Sequence, residues 1–258
     1  MIPVQVLDPG ASWSAAFEST AMEARVLLLE FDLSVESPAP FLRVLDALEI
    51  ERAGRFRARE DRVRFVQTRA WLRMLAARLI RREPAEVEFK AGPHGKLSCP
   101  DTPWYFNVSH SGAFGALAFT RVGEVGVDVE RIRPMHDANG VMERFFTLHE
   151  REWIAGIPPH GREAAFFECW TRKESVLKAL GTGLSLAPER IETRVDHDGT
   201  SRLMAISGAQ EPAANWTLHP FLPDEGYRGC LAAPSGASPV SAIRLKSIRL
   251  FSEMECGR

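Results

Sequence analysis

Two carboxylates alternate with valines in the stretch Val125–Glu130. Because neighbouring side chains of a β-strand point to opposite faces, Val127 and Val129 are predicted to face the core. Asp128 and Glu130 would then share the other face, about 7 Å apart. Two carboxylates placed in this way repel each other unless a cation lies between them. The spacing leaves two interpretations open, a cation site and the solvated face of an edge strand.

Large apolar residues recur with helical spacing in the segment Glu163–Leu180. At about 100° per residue they form one apolar arc, which consists of Phe166, Phe167, Trp170, Leu177 and Leu180. Lys173 and Glu174 fall inside this arc, and Lys178 lies one turn beyond Glu174. A partly buried carboxylate is costly unless a metal ion or a lysine pairs with it. We therefore favour a functional role over an ordinary exposed Glu–Lys pair, which stabilises a helix by only about 0.2–0.5 kcal/mol.

Small and polar residues occupy the stretch Asn107–Gly112 (NVSHSG), between two apolar segments. At the end of a strand such residues offer backbone N–H groups, a hydroxyl and an imidazole to an anion. The stretch also fits an ordinary hairpin turn, and alone it does not decide between the two.

Arginines are frequent between residues 52 and 82. If this stretch is helical from Asp61 onward, Arg62, Arg69 and Arg73 share one face. A guanidinium group suits phosphate, but for most of these arginines a solvated helix face is the favoured interpretation.

The hydrophobic pattern predicts the elements that must position these groups. The expected strands are Ala24–Leu33, a pair within Trp104–Thr120, and Val125–Ile132. The expected helices are Glu49–Arg82, a helix from Thr147 onward, and Glu163–Leu180. Gly181 is expected to end the last helix as a glycine cap. Thr147 and Glu150 have the spacing of a capping box, which explains both residues without catalysis.

A second strand pair is predicted late in the chain. The segment Asn215–Pro234 has the pattern strand, turn, Ala-rich strand, and in this it resembles Trp104–Thr120. Both halves of the chain thus run from helices into a strand pair, which is a weak internal repeat. The repeat predicts an α+β protein with two similar α/β subdomains, residues 1–122 and 123–258.

Composition restricts the classes of partner. The net charge of −2 gives no bulk attraction for nucleic acid or membranes, and we expect neither as a partner. Four cysteines form no CxxC pair and no zinc-finger spacing. They suit a reducing compartment, and the N-terminus lacks the pattern of a signal peptide. A cytoplasmic protein is therefore expected.

Taken together, these motifs resemble the surfactin-synthetase-activating type of 4′-phosphopantetheinyl transferase. The pair G-V-D-V-E (Gly126–Glu130) and W-T-x-K-E-S-x-x-K (Trp170–Lys178) is highly specific. Further matches follow in the family's order, namely Gly95-Lys96, Asn107–Gly112, Phe145–Thr147 with Glu150, and Gly181–Ser185. The resemblance implies the large, pseudo-duplicated type. Such a protein is a monomer whose two subdomains are related by an approximate two-fold axis, with the active site in the cleft between them.

The resemblance implies transfer of the phosphopantetheine arm of coenzyme A to a serine of an apo acyl or peptidyl carrier protein. The carrier would serve polyketide, non-ribosomal peptide or fatty-acid synthesis, and adenosine 3′,5′-bisphosphate would be released. Mg²⁺, with Mn²⁺ as an alternative, would be held by Asp128, Glu130 and Glu174. Catalysis would rest on Asp128, Glu174 and Lys178.

The resemblance also implies a binding site for coenzyme A, made of Arg52, Gly95, Lys96, Asn107, Ser109, His110, Asp128, Glu174 and Lys178. Lys178, His110 and Lys96 would contact phosphates, and Arg52 would bind the 3′-phosphate. Asn107 and Ser109 would line the adenosine pocket.

Two departures from the family's pattern affect this site. Leu97 stands where the family usually has proline, so the shape of the loop is open. Glu49 stands where a second basic residue is often found, so the 3′-phosphate could be bound by Arg69 or another arginine. The proton acceptor for the carrier serine is also open, either Glu174 or a metal-bound water.

Three other functions compete with the one that the resemblance implies. The first is a transferase that serves only a fatty-acid carrier protein, and the second is a coenzyme A-binding module without catalysis. The third is a nucleic-acid-binding protein that uses the arginine-rich stretch. The intact set of acidic residues and Lys178 argues against the second, and the acidic residues elsewhere in the chain argue against the third.

Overall fold

The computed structural model describes residues 1–6, 23–34, 39–100, 102–196, 199–208, 211–238 and 240–246. The helices in these ranges are α1 (Ala39–Arg43), α2 (Ala47–Gly54), α3 (Arg59–Ile80), α4 (Ala138–Phe145), α5 (Leu148–Gly156) and α6 (Arg162–Leu180). The strands are β1 (Val4–Val6), β2 (Ala24–Glu30), β3 (Lys90–Ala91), β4 (Leu97–Ser98), β5 (Tyr105–Ser111), β6 (Phe114–Thr120), β7 (Gly126–Arg131), β8 (Ile191–Val195), β9 (Ser201–Ile206), β10 (Trp216–Phe221), β11 (Tyr227–Pro234) and β12 (Val240–Lys246). This content confirms the predicted α+β class. Within these ranges, no helix has the length and apolar character needed to cross a bilayer.

The larger strands form two sheets. A five-stranded sheet has the order β1-β12-β2-β6-β5, and a three-stranded sheet has the order β10-β11-β7. β3 with β4, and β8 with β9, form two separate antiparallel pairs. The two predicted strand pairs are both present, since β5 pairs with β6 and β10 pairs with β11, each antiparallel.

The sheets and the two long helices stack in layers, because each sheet is apolar on both faces. Leu27 and Leu29 of β2 face one cluster together with Trp71 of α3. The alternate residues of β2 face a second cluster, in which they meet Val127 and Val129 of β7. The outer face of the three-stranded sheet packs against α6 through a third cluster. The order of layers is therefore α3, five-stranded sheet, three-stranded sheet, α6.

The predicted boundary between subdomains is crossed by β12. β12 belongs to residues 123–258, which are predicted to form the second subdomain. It nevertheless lies between β1 and β2 in the sheet that also holds β5 and β6. The reason is that β2 is buried on both faces, so its free edge needs a partner strand to satisfy its backbone groups. β12 supplies that partner by parallel pairing along Ala24–Glu30. For the rest of the chain, the two subdomains, the two-fold relation and the cleft stay predictions.

The stretch Glu49–Arg82 forms two helices and not the single helix predicted. α2 ends at Gly54, a residue with low helix propensity. The turn that follows lets Phe56 pack on Phe65 of α3, with ring centroids 5.3 Å apart.

Arg73 is buried, although a solvated helix face was the favoured interpretation. Its side chain is 1% exposed, and its Nε donates to Glu49 Oε2 at 2.5 Å. Its other guanidinium nitrogens bind the Asp46 carboxylate and the carbonyl oxygens of Pro84 and Val87. Because all of these partners accept hydrogen bonds, a fully buried guanidinium is tolerated. Arg73 thus holds α2 and the segment after α3 against α3.

α6 and β7 approach each other closely at Gly126, the first residue of β7. A Cβ atom on Gly126 would lie 1.9 Å from the Ser175 carbonyl oxygen and 2.3 Å from the Ala179 nitrogen. These are backbone atoms of α6, which cannot rotate away. A residue without a side chain is therefore required where the helix that carries Glu174 crosses the strand that carries Asp128.

We predict that Gly126→Ala lowers the free energy of unfolding by about 3 kcal/mol or more, because α6 must move away from β7. Thermal unfolding should record this as a decrease in Tm of roughly 2–4 °C per kcal/mol.

Gly156→Ala is the matched control, since no atom lies within 4 Å of a Cβ built on Gly156. It should change stability by less than about 1 kcal/mol, in either direction. Equal Tm values for the two variants would show that the contact at Gly126 does not constrain the fold.

Candidate active site

Side chains of β5 join the two sheets at their edges. β5 is an edge strand of the five-stranded sheet, and β7 is an edge strand of the three-stranded sheet. Every second residue of β5 accepts a hydrogen bond from a backbone N–H of β7: Asn107 Oδ1 from Val127 (3.0 Å), Ser109 Oγ from Val129 (3.4 Å) and Ser111 Oγ from Arg131 (3.1 Å). A strand directs alternate N–H groups to opposite edges, so these are the β7 groups that β11 does not bind. The polar residues of NVSHSG thereby position the strand that carries Asp128.

The Asp128 carboxylate lies between β5 and α6 and is 3% exposed. Its Oδ1 accepts hydrogen bonds from Ser109 Oγ at 2.8 Å and from Lys178 Nζ at 2.6 Å. Lys178 Nζ also donates to Ser109 Oγ at 2.9 Å. Asp128 Oδ2 is buried and has no hydrogen-bond partner in the part of the chain that the structure describes. A buried carboxylate oxygen without a donor is costly, so Oδ2 is available to a cation or a donor.

Glu130 and Glu174 are the other two acidic residues predicted for this site. Glu130 Oε2 accepts hydrogen bonds from Ser111 Oγ at 2.7 Å and from Arg133 Nη1 at 3.1 Å. Burial raises the pKa of Glu174, the negative charge of Asp128 raises it further, and Lys178 partly offsets both effects. The Glu174 carboxylate therefore lies close enough to Asp128 and Lys178 to interact with their charges. A cation bound there would relieve the repulsion.

The three acidic residues supply carboxylate oxygens, which are suitable ligands for a metal ion such as Mg²⁺. Within the described ranges, no three His, Cys, Asp or Glu side chains lie close enough together to hold a metal ion. The predicted convergence of Asp128, Glu130 and Glu174 on one cation therefore stays a prediction. Two observations support the fit: Asp128 Oδ2 lacks a partner, and carboxylate oxygens are the ligands that Mg²⁺ prefers.

A cavity of about 270 Å³ shares Lys178 with this acidic group. Six of the predicted binding residues line it: Arg52, Gly95, Lys96, Asn107, His110 and Lys178. Its apolar lining is made of Phe65, Leu72, Leu97, Phe106, Val108 and Leu177. Ser109 does not line the cavity, because its hydroxyl faces Asp128. The structure thus brings cationic, polar and apolar side chains together around one space, and their contacts with coenzyme A stay predictions.

The Lys96 ammonium is directed at the protein and not into the cavity. Its Nζ donates to the Ala179 carbonyl oxygen at 2.6 Å and to the Val125 carbonyl oxygen at 3.2 Å. It also forms an ion pair with Glu124 at 2.5 Å. A lysine bound to the last turn of α6 satisfies a carbonyl group that has no partner within the helix. These contacts connect the β3–β4 turn to α6, and the phosphate contact of Lys96 that the resemblance implies stays a prediction.

His110 lies at the rim of the cavity and is exposed. Its pKa is lowered by the surrounding protein, and the positive charge of Lys178 acts in the same direction. The imidazole can donate a hydrogen bond to a phosphate at the rim of the cavity.

Sequence reasoning missed the contribution of α3 to the cavity. Phe65, Thr68, Arg69 and Leu72 line it from that helix. Their spacing of three and four residues is the signal that was available, since it places them on one helix face. Arg69 had been considered for the 3′-phosphate, and it forms an ion pair with Glu49 at 3.4 Å.

Glu150 does more than cap its helix. The predicted capping box with Thr147 is present. In addition, Glu150 Oε2 forms an ion pair with Lys173 Nζ at 2.7 Å, and both residues are buried. Glu150 Oε1 accepts hydrogen bonds from the N–H and the hydroxyl of Thr193. The capping pattern therefore did not explain Glu150 fully, and Lys173 inside the apolar arc was the signal of a buried partner.

Comparisons with known proteins agree with these features. Residues 124–232 match the family model described as the 4′-phosphopantetheinyl transferase superfamily. HetI, a 4′-phosphopantetheinyl transferase of Nostoc, is 32% identical over 193 residues, which cover 73% of this chain and 77% of HetI. A putative 4′-phosphopantetheinyl transferase of Synechocystis is 35% identical over 146 residues, and the chain spans 59% of that relative. The ACPS–CoA complex of Chronobacterium ammoniagenes is 19% identical, covers 43% of this chain and 97% of its own, and has a TM-score of 0.35.

The similarity to HetI extends over most of both chains. The region that matches the family model, residues 124–232, contains the strand of Asp128 and the helix of Glu174. The resemblance drawn from the motifs is confirmed: the chain belongs to the 4′-phosphopantetheinyl transferase superfamily.

Proposed function

We propose that the chain transfers the 4′-phosphopantetheine arm of coenzyme A to a serine of an apo acyl or peptidyl carrier protein, in a Mg²⁺-dependent reaction. The transferase class follows from family membership. One observation carries the finer proposal. A buried carboxylate, Asp128, has one oxygen bound by Lys178 and the other without a hydrogen-bond partner among the described residues, beside a cavity with several cationic residues.

The phosphates of coenzyme A would lie where the cavity meets the acidic group. Asp128, Glu130 and Glu174 would hold the metal ion against them. When bound, Mg²⁺ supplies positive charge that neutralises and orients the diphosphate. Mn²⁺ could take the same place, since it accepts the same oxygen ligands.

Lys178 would stabilise the charge that develops on the phosphate. Its ammonium is held by Asp128 and Ser109 at the wall of the cavity, so its position is set before the ligand arrives. A fixed positive charge beside the transferring phosphate costs little reorganisation during the reaction. His110, at the rim of the cavity, would donate a further hydrogen bond to the phosphate.

The reaction forms one bond and breaks one bond. The serine oxygen of the carrier attacks the β-phosphorus of coenzyme A. The bond from that phosphorus to the oxygen shared with the α-phosphate breaks, and adenosine 3′,5′-bisphosphate leaves. The serine proton would pass to Glu174, a carboxylate that interacts with Asp128 and Lys178 at the edge of the cavity.

We predict that Asp128→Asn lowers the rate of transfer by about 100-fold or more, because the neutral amide supplies no negative charge to the cation or to Lys178. The measurement is the mass gain of an apo carrier protein incubated with coenzyme A, Mg²⁺ and the protein. Mg²⁺ should raise the Tm of the wild type, and should raise that of the variant much less.

Asp196→Asn is the control, since Asp196 pairs with Arg202 at a distance from the cavity. It should transfer at the wild-type rate. If Asp128→Asn is as active as this control and still depends on Mg²⁺, the metal site lies elsewhere. If the wild type adds no mass to any apo carrier protein, the proposed function is wrong.

We predict that Arg52→Ala raises the KM for coenzyme A about 10-fold and changes kcat little, because Arg52 would bind the substrate equally in its ground and transition states. Arg52 lines the cavity, whereas Arg55, three residues further on, points to solvent with 72% of its side chain exposed. Arg55→Ala should therefore leave KM unchanged. Equal KM values for both variants would remove Arg52 from the site.

We predict that Glu174→Gln stabilises the ligand-free protein at neutral pH. The pKa of Glu174 is raised above its ordinary value of 4.5 in the folded state, so the wild type loses stability relative to the variant as pH rises through that folded pKa. The gap in Tm should vanish below about pH 4.5. Glu152→Gln, at an exposed glutamate of α5, should show no such gap, and a constant gap for Glu174→Gln would contradict the electrostatic assignment.

A further inference from the structure

The side chain of Thr68 carries an unpaired polar atom at the wall of the cavity. Thr68 lies in α3, is 4% exposed, and lines the cavity. Its Oγ1 is buried and has no hydrogen-bond partner among the described residues. A threonine in a helix commonly donates to the carbonyl oxygen four residues earlier. Thr68 makes no such hydrogen bond to its own helix, nor to any other described residue.

A glycine of β6 leaves space beside this hydroxyl. A Cβ atom on Gly115 of β6 would lie 3.2 Å from Thr68 Oγ1, so the small residue at that position leaves space for the hydroxyl. Gly115 is paired with His110 of β5, and His110 lines the same cavity. Thr68 and His110 are thus both next to Gly115, and both line the cavity.

A buried hydroxyl without a partner costs roughly 1–3 kcal/mol. The neighbouring Gln67 shows that such a cost alone does not mark a site: both of its amide atoms are buried without partners, yet it does not line the cavity. Thr68 differs because its residue lines a space that a ligand can enter. Binding of a ligand with a polar atom at that point removes the cost.

The nucleotide end of coenzyme A fits this part of the cavity better than the pantetheine arm. Arg52 and Arg69 both stack on Phe65, with guanidinium carbons 5.1 and 5.6 Å from the ring centroid, and both line the cavity beside Thr68. Arg69 is partly neutralised by Glu49, while Arg52 has no carboxylate partner in the described ranges. Two adjacent cations, one without a counter-charge, favour a phosphorylated sugar over a neutral amide chain.

We propose that Thr68 is a specificity-determining residue whose hydroxyl forms a hydrogen bond with the nucleotide moiety of coenzyme A. The inference rests on the proposed function, and it adds a contact that none of the motifs contains. Its energetic effect is selective. The hydroxyl stabilises the bound state and destabilises the free protein, so its removal should weaken binding without weakening the fold.

The test is Thr68→Val, which removes the hydroxyl and keeps the shape. Isothermal titration of adenosine 3′,5′-bisphosphate and of coenzyme A should show Kd values raised about fivefold to tenfold for both ligands, the loss of one hydrogen bond. The Tm of the ligand-free variant should equal or exceed that of the wild type. KM for coenzyme A should rise by the same factor as Kd, with kcat within about twofold of the wild type. Thr68→Ser, which keeps the hydroxyl, should bind both ligands like the wild type.

Gln67→Leu is the matched control, since it removes unpaired polar atoms one residue away that do not border the cavity. It should leave both Kd values unchanged. If Gln67→Leu weakens binding as much as Thr68→Val, or if Thr68→Val binds like the wild type, the inference is overturned. A wild type that binds neither ligand and transfers nothing would instead contradict the proposed function itself, so the two failures can be told apart.

Discussion

The bond between the buried Asp128 carboxylate and the Lys178 ammonium is the interaction on which the site depends. Asp128 belongs to β7, Lys178 to α6, and Ser109, which binds both, to β5. Three elements from distant parts of the chain therefore meet at one carboxylate oxygen. Their approach is possible because Gly126 lets α6 lie on β7 and because side chains of β5 bind the free edge of β7. The Asp128–Lys178 ion pair and the close packing at Gly126 thus favour the same arrangement of β5, β7 and α6.

α6 is held in place by contacts of two lysines, Lys173 near the middle of the helix and Lys96 at its last turn. Lys173 is bound by Glu150 and by the carbonyl oxygens of Pro188 and Ile191. Lys96 binds the last turn of the helix from the β3–β4 turn. A buried ion pair contributes little net stability by itself, but breaking one is costly, so such pairs restrict where a helix can lie. The helix can therefore present Glu174 and Lys178 in a constant position.

Much of the site could be predicted from sequence because its elements are short and strongly patterned. The alternation of Asp128 and Glu130 with buried valines, the strand pairs and the helix ending at Gly181 all follow local periodicity, and the structure contains each of them. The sequence indicated that Lys173 has a buried partner and that Thr68 shares a helix face with Arg69. It could not show that the partner is Glu150 or that this face lines the cavity, since both depend on which elements become neighbours in three dimensions. The direction of Lys96 was missed for the same reason: a lysine in a turn gives no sign of which carbonyl oxygen it will reach.

The position of β12 has a consequence for how the chain can fold. Val240 pairs with Ala24, so the central sheet joins residues from opposite ends of the described chain. Pairings between such distant residues close large loops and slow the folding of a protein. During synthesis, β2 leaves the ribosome long before β12, so the edge of β2 that β12 covers has no partner until residues 240–246 have emerged. The sheet that holds β5 and β6 is therefore completed only by this late pairing.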